Sequence, residues 1–179
     1  MIRNKKCMLI WHISSLIFII LTGSFFHFAY ELFGRFKPLA LIFAVNESVW
    51  EHNKIGFWPA VIFSFVEYFS WGKYEKNYFC AKALQLFLIP YIITSFFYTY
   101  TGIIGFHVLW VDIFIFVAAV AIAQYVFWQV LKTQECAAGI LKFFCIACII
   151  ILIIIFSIFT FFAPQIPLFI DPLTGKAGI

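Results

Sequence analysis

The chain has 179 residues, of which only 11% are charged, against about 25% in soluble domains, and its mean hydropathy is +1.03. That composition excludes a soluble globular enzyme and leaves no room for a separate soluble domain. The net charge of +4 is not a nucleic-acid signal either, because the basic residues sit in loops between apolar runs, so no nucleic-acid partner is expected.

A bilayer core of about 30 Å needs about 20 apolar residues per helix, and runs of that length recur along the chain. Arg3, Lys5 and Lys6 form a basic flank before the first predicted helix, 8–33, which stays apolar until His27 and Glu31. This run is too long for a signal-peptide core and no small-residue cleavage pattern follows it, so it is expected to be retained. Gly34-Arg35-Phe36-Lys37-Pro38 breaks it. The apolar stretch 38–45 spans only about 12 Å as a helix, so it is expected to lie at the interface or re-enter. Asn46 or Ser48 then offers an N-cap, and Ser48-x-x-Glu51 fits a capping box.

The second helix is predicted over 46–71, with Pro59 bending it. Its first turns carry Asn46-Glu47-Ser48-Val49-Trp50-Glu51-His52-Asn53-Lys54, the densest polar stretch in the chain. Glu67, near its other end, is expected to snorkel beside Lys73. A charged loop, 72–78, leads to a third helix over 80–101 with Pro90 at its centre and hydroxyls from Ser95 to Thr101. Gly102 and Gly105 mark a turn into a fourth helix over 103–131, with His107 and Asp112 near its start and a lone Gln124 suited to an inter-helix hydrogen bond. A fifth helix, 138–163, is almost entirely Ile and Phe and ends at Pro164. The tail 164–179 contains Pro167, Pro172 and an Asp171-Pro172-Leu173-Thr174-Gly175 turn signal. Trp50, Trp58, Trp71 and Trp110 read as interface anchors and packing. The fold class is therefore all-α: a polytopic transmembrane helical bundle of about five spans plus one short interfacial or re-entrant helix.

Charge sets the expected orientation in the cell membrane. With a cytoplasmic N-terminus and five spans, Arg3, Lys5, Lys6, Lys73, Lys76, Lys82, Lys132 and Lys142 fall inside, and Arg35, Lys37, Lys54 and Lys176 outside. Eight against four favours this arrangement under the positive-inside rule, with the C-terminus extracytoplasmic. Cys7, Cys80, Cys136, Cys145 and Cys148 then all fall toward the cytoplasmic half, where thiols stay reduced, so no disulfide is expected. Cys145-x-x-Cys148 has a redox spacing, but it lies in an apolar helix, where cysteines serve as small fillers.

This topology brings His27 and Glu31, Glu47, Glu51 and His52, and His107 and Asp112 to the same side of the membrane, most of them roughly 3–14 Å below the helix tips. His27 and Glu31 share a helix face, as do Glu47 and Glu51, and Ser48 and His52. Glu51 and His52 are neighbours about 100° apart, so the two compete for one inward direction. Acids at a helix start have an ordinary structural reason in the macrodipole, and histidines also serve as bridging hydrogen-bond groups. Even so, ionisable side chains at membrane depth are costly, and several converging in one layer point to function.

The candidate metal ligands are His27, Glu31, Glu51, His52 and His107, a mixture of imidazoles and carboxylates that suits zinc or iron. Glu47 or Asp112 is the candidate catalytic proton shuttle. The first function considered is a metal-dependent membrane hydrolase acting on a lipid or lipid-linked substrate, with Ser95 and Tyr98 orienting it, or an iron oxidoreductase variant. The alternatives are a transporter or ion-, metal- or proton-handling protein, and a structural subunit without chemistry. A polar row on the other side of the bilayer favours transport, and a closed inner half favours the enzyme. Membrane lipids are the expected surroundings, and nothing in the sequence sets the oligomeric state.

His27-Phe28-Ala29-Tyr30-Glu31, then Asn46-Glu47-Ser48-Val49-Trp50-Glu51-His52, then Pro164-Gln165-Ile166-Pro167-Leu168-Phe169 with Asp171-Pro172-Leu173-Thr174-Gly175, resemble an uncharacterised bacterial family of small integral membrane proteins over nearly the full chain. The resemblance implies no chemistry. It draws attention to the tail as a lid over the polar centre.

Overall fold

The computed structural model describes residues 5–133 and 139–179. Arg3, the Lys5 side chain and Cys136 lie outside the described residues. Among the described residues there are five α-helices, α1 (Lys5–Leu32), α2 (Val49–Ser70), α3 (Tyr78–Ile104), α4 (Leu109–Lys132) and α5 (Ile140–Ile158), with 3-10 turns at Lys37–Leu41 and Gly72–Tyr74. Four of them, all but α2, are long and apolar enough to cross a membrane. α2 falls short in hydropathy because it carries the polar stretch, and for the same reason it is the helix most enclosed by the others: Glu51, Asn53, Lys54, Phe57, Ala60 and Glu67 are all buried along it.

Local chemistry explains the helix ends. α1 stops in a Schellman motif: Gly34 takes a left-handed φ of +66°, its N–H donates to the Glu31 carbonyl at 3.0 Å, and the Arg35 N–H donates to Tyr30 at 2.9 Å, which satisfies two otherwise orphaned carbonyls. Ser48 caps α2, its hydroxyl accepting from the Glu51 N–H at 3.3 Å. α3 continues past the predicted 101 to Ile104, where Gly105 (φ 89°) ends it. The predicted start of the fourth helix thus belongs to α3 and to the link before Leu109.

The outer surface is oily. Ile10, Leu21, Phe28, Ile103, Trp110, Phe143 and many similar side chains are exposed, as expected where lipid takes the place of water as solvent. Of the tryptophans read as interface anchors and packing, Trp50 and Trp71 are buried and Trp110 is exposed; Trp50 stacks on Phe156 with ring centroids 4.4 Å apart. The last turn after α5 and the tail fold back onto α2. The Trp50 N–H donates to Leu168 and the Ile179 N–H to Thr160, while Phe169 packs against the Trp50 ring at 4.8 Å.

The cysteines depart from expectation. Cys80, near the start of α3, and Cys145, near the start of α5, form a disulfide with Cα atoms 5.0 Å apart, while Cys7 and Cys148 are free. The expectation of reduced thiols came from compartment alone; it is overturned because the two helix starts lie side by side, within bridging distance. The partner of Cys145 is therefore Cys80 and not Cys148 one turn away.

Close helix packing depends on small residues. A Cβ added at Gly23 would lie 2.2 Å from the Ile55 carbonyl oxygen, and one at Gly56 would lie 2.5 Å from the Ile89 side chain. Such small contacts let membrane helices approach backbone to backbone. Gly23→Ala must displace backbone and is expected to cost about 1–3 kcal/mol, lowering the thermal midpoint in detergent. Gly102→Ala, with open space around it, is expected to leave that midpoint unchanged or raised; equal midpoints for the two variants would refute the close α1–α2 contact.

Candidate metal centre and buried ion pairs

The polar start of α2 splits into two groups that face different ways. Glu51 and Lys54 turn inward. Both are buried, and the Lys54 ammonium donates to three acceptors: the Ala40 carbonyl at 2.6 Å, Glu51 Oε2 at 2.8 Å and Thr160 Oγ1 at 2.9 Å. Glu51 also accepts from the Val45 N–H at 3.1 Å and from the Thr160 hydroxyl at 2.9 Å. Every Lys54 proton thus has a partner, from the 37–41 turn, from α2 and from the end of α5. Only half of the predicted capping box forms, because the Glu51 carboxylate is engaged with Lys54; the Ser48 N–H donates instead to Asn46 Oδ1 at 2.9 Å.

His52 and Glu47 face the other way, toward α1. His52 Nδ1 lies 2.9 Å from the Ser48 carbonyl oxygen. A carbonyl only accepts, so Nδ1 carries the proton and Nε2 points onward. His52 Nε2 lies 3.4 Å from Glu47 Oε2, with the His52 side chain 32% and the Glu47 side chain 45% exposed. The His27 ring, from α1, lies 5.0 Å from that of His52. Among the described residues, His27, Glu47 and His52 form the group whose ligand atoms lie within 4.8 Å of one another and could hold a metal ion. A neutral His52 sets a lone pair against a carboxylate. A proton on Nε2, or a metal ion between the groups, removes that opposition.

The other candidate residues lie in separate contacts. Glu31 pairs with Arg35 at 2.7 Å, with both side chains more than 70% exposed, which gives its charge at a helix C-terminus an ordinary explanation. His107 Nδ1 lies 3.2 Å from Asp112 Oδ2, and the other Asp112 oxygen accepts from the Tyr100 hydroxyl, whose oxygen in turn accepts from the Val108 N–H at 3.0 Å. His107 and Asp112 thus form a dyad at the α3–α4 link. The structure brings His27 and His52 together with Glu47, and gives Glu31, Glu51, His107 and Asp112 other partners.

A second polar row lies at the opposite end of the bundle. Lys82 on α3 donates to Glu67 on α2 at 2.5 Å and to Gln85 at 2.7 Å. Gln85 donates to the Gln124 side-chain oxygen, which also accepts from Ser15 at 3.3 Å. The Gln124 amide nitrogen therefore faces His12 Nδ1 at 2.7 Å, making the inter-helix hydrogen bond expected of Gln124. All six of these residues are buried. Glu67 does not snorkel. Its second oxygen and His12 Nε2 are buried without a hydrogen-bond partner.

Sequence reasoning counted Lys54 and Lys82 among the loop cations and passed over His12, Ser15 and Thr160. The i,i+3 spacing of Glu51 and Lys54 was the available signal for the first pair; His12 and Ser15, three apart on α1, share a face but name no partner, and nothing near Thr160 points to Lys54.

Removing one partner of a buried ion pair strands the other charge, which costs about 3–5 kcal/mol. Lys54→Met is accordingly expected to lower unfolding stability by that order. The double variant Glu51→Gln with Lys54→Met is expected to recover much of the loss. If the double variant is as unstable as the sum of the singles in a detergent unfolding series, the two charges do not act as a pair.

No curated protein and no solved structure matches this chain. A family of unknown function (DUF6512) matches it over residues 1–179, the full length of the chain, and the chain belongs to that family.

Proposed function

We propose that this protein resides in the cell membrane and binds one divalent transition-metal ion, zinc or iron, through His27, Glu47 and His52, using it to hydrolyse a lipid or lipid-linked substrate. The observation that carries the reading is the convergence of these three side chains within 4.8 Å, with the Ser48 carbonyl holding His52 in the tautomer that offers Nε2. Backbone partners that fix a ligating imidazole in this way are the usual second layer of metal sites. Three protein ligands leave an open position for water or substrate, the pattern of catalytic zinc, and the partial exposure of Glu47 and His52 leaves the position reachable. A metal there acidifies bound water and polarises the scissile group. With Glu47 engaged as a ligand it is not free as the proton shuttle, and Asp112, the other candidate for that role, is held at the α3–α4 link by Tyr100 and His107. The tail packs against Trp50 and Thr160, on the side of α2 that holds Lys54, so these contacts do not make it a lid over the histidines.

A second reading, ion or proton handling, is favoured by the buried row of His12, Glu67 and Lys82, since ionisable groups at membrane depth mark such pathways. Against it, the stretch of α2 between Lys54 and Glu67 covers about 20 Å and is apolar apart from Ser64, whose hydroxyl is bonded to Val61.

For orientation, setting aside the buried Lys54 and Lys82 leaves seven basic residues against three, which still favours a cytoplasmic N-terminus with α2 as the fifth span. The disulfide pulls the other way, because such bonds persist in oxidising compartments. A reporter active only outside the cytoplasm, fused after Ile179, is expected to be active; a silent one, with a cytoplasmic reporter working, reverses the topology.

Purified protein never exposed to chelator is expected to carry one zinc or iron per chain by elemental analysis. His27→Ala, Glu47→Ala and His52→Ala are each expected to weaken zinc binding at least about tenfold, while Glu31→Gln and His107→Ala leave it unchanged. Full metal retention in the first three variants removes the centre. Turnover of lipid ester in micelles, set against zinc uptake into sealed vesicles, separates hydrolysis from transport.

A further inference from the structure

At the end of the bundle away from His27, Glu47 and His52, the start of α1, the end of α4 and the turn after α2 line a half-open cavity of about 610 Å³. Its wall is apolar, formed by Met8, Leu9, Trp128 and Leu131, and it also presents Lys6, Lys132 and a single acid, Glu75. The volume lies within the range of about 300–1,000 Å³ of small-ligand sites. Trp128 is held in place: the His12 ring stacks on it at 4.7 Å with planes 8° apart, and the Lys132 ammonium sits 4.1 Å from its ring centroid.

We propose that this cavity is a binding site for an anionic phospholipid, with an acyl chain along Met8, Leu9, Trp128 and Leu131 and the phosphate at Lys6 and Lys132. Charge complementarity selects the occupant. Two lysines against one glutamate leave the lining with net positive charge, so an anionic headgroup gains where a zwitterionic one does not. The chemistry suits a lipid over a water-soluble anion, since most of the wall is hydrocarbon and the helices that build it, α1 and α4, are long and apolar enough to cross a membrane. Basic side chains flanking a span are where anionic headgroups gather. The site also touches the buried polar row: Trp128 stacks on His12, and His12 accepts from Gln124. A lipid seated here therefore rests against the Trp128 ring, from which His12, Gln124 and Gln85 lead to Lys82 and Glu67.

The test uses the full chain in zwitterionic detergent micelles, titrated with short-chain phosphatidylglycerol, phosphatidylcholine, phosphatidylethanolamine and inorganic phosphate at constant ionic strength. Binding is read by native mass spectrometry and by tryptophan fluorescence. One phosphatidylglycerol per chain is expected, at least tenfold tighter than phosphatidylcholine, with a fluorescence change that Trp128→Phe abolishes. Lys132→Gln, an exposed change that leaves folding intact, is expected to weaken phosphatidylglycerol at least fivefold, and Leu9→Gln to weaken it independently. Equal affinity for phosphatidylcholine, tighter binding of phosphatidylethanolamine through Glu75, or displacement of the lipid by inorganic phosphate at comparable concentration would each overturn the assignment. So would unchanged binding in both the Lys132 and Leu9 variants.

Discussion

The interaction on which the rest of this structure depends is the knot of Lys54, Glu51 and Thr160. In a bundle whose helices are mostly hydrocarbon, apolar contact alone specifies little, because lipid is as good a solvent for isoleucine as a neighbouring helix is. Lys54 removes that freedom. Its three protons reach acceptors in three separate segments, Ala40 in the 37–41 turn, Glu51 in α2 and Thr160 after α5. Thr160 follows directly after α5, so it anchors that end of the helix while the Cys80–Cys145 disulfide ties the other end to α3. The Thr160 carbonyl then accepts from Ile179, which carries the constraint into the tail. A buried ion pair is weak evidence of stability in itself; its better attested use is to fix register, and the geometry here fits that use.

The second row repeats the arrangement at the other end with different parts. Glu67, Lys82, Gln85, Gln124, Ser15 and His12 come from α1, α2, α3 and α4 and form one chain of hydrogen bonds. α2 contributes the acid to both rows. That explains why it is the least hydropathic helix and yet the innermost: a helix with charges near both ends satisfies them only by being surrounded. The two rows differ in completeness. At the Lys54 end the donors and acceptors close on one another. At the Lys82 end one oxygen of Glu67 and one nitrogen of His12 have no hydrogen-bond partner, and such atoms are costly in a region without water. The unfinished row is the one beside the proposed lipid cavity.

The sequence revealed the fold class readily and the site only in part, for reasons that particular residues make plain. Apolar runs of spanning length, Gly34 and Ser48 placed most helix boundaries, because those signals are local. The end of α3 was misplaced by a few residues because Gly102, which reads as a turn, stays helical. The layer holding His27, Glu47 and His52 followed from counting residues to the helix tips, but spacing cannot tell which way a side chain points. It grouped Glu51 with His52, whereas Glu51 faces the core with Lys54 and His52 faces α1. Partners contributed by distant segments, such as Thr160 for Lys54 and Cys80 for Cys145, left no local trace. The cysteine expectation failed for a related reason: a compartment argument says where a disulfide persists, not which sulfur atoms are neighbours.

Ser48 connects these points. Its hydroxyl accepts from the Glu51 N–H, which starts α2 in the orientation that sends Glu51 inward to Lys54. Its carbonyl accepts from His52, which aims the imidazole the opposite way, toward Glu47 and His27. One residue at the helix start thus divides the polar stretch into a structural half and an open half, about one helical turn apart. In the closed half the Lys54 ammonium and the Glu51 carboxylate are fully engaged with each other and with Thr160, Ala40 and Val45. In the open half a neutral His52 sets its Nε2 lone pair against the Glu47 carboxylate. The tight packing of the first positions the second: α2 is fixed in height by Lys54 and α1 is held close by Gly23. The half-exposed histidines are thus the side chains left open at this end of the bundle, while the buried charges a few residues away fix the helix that carries His52.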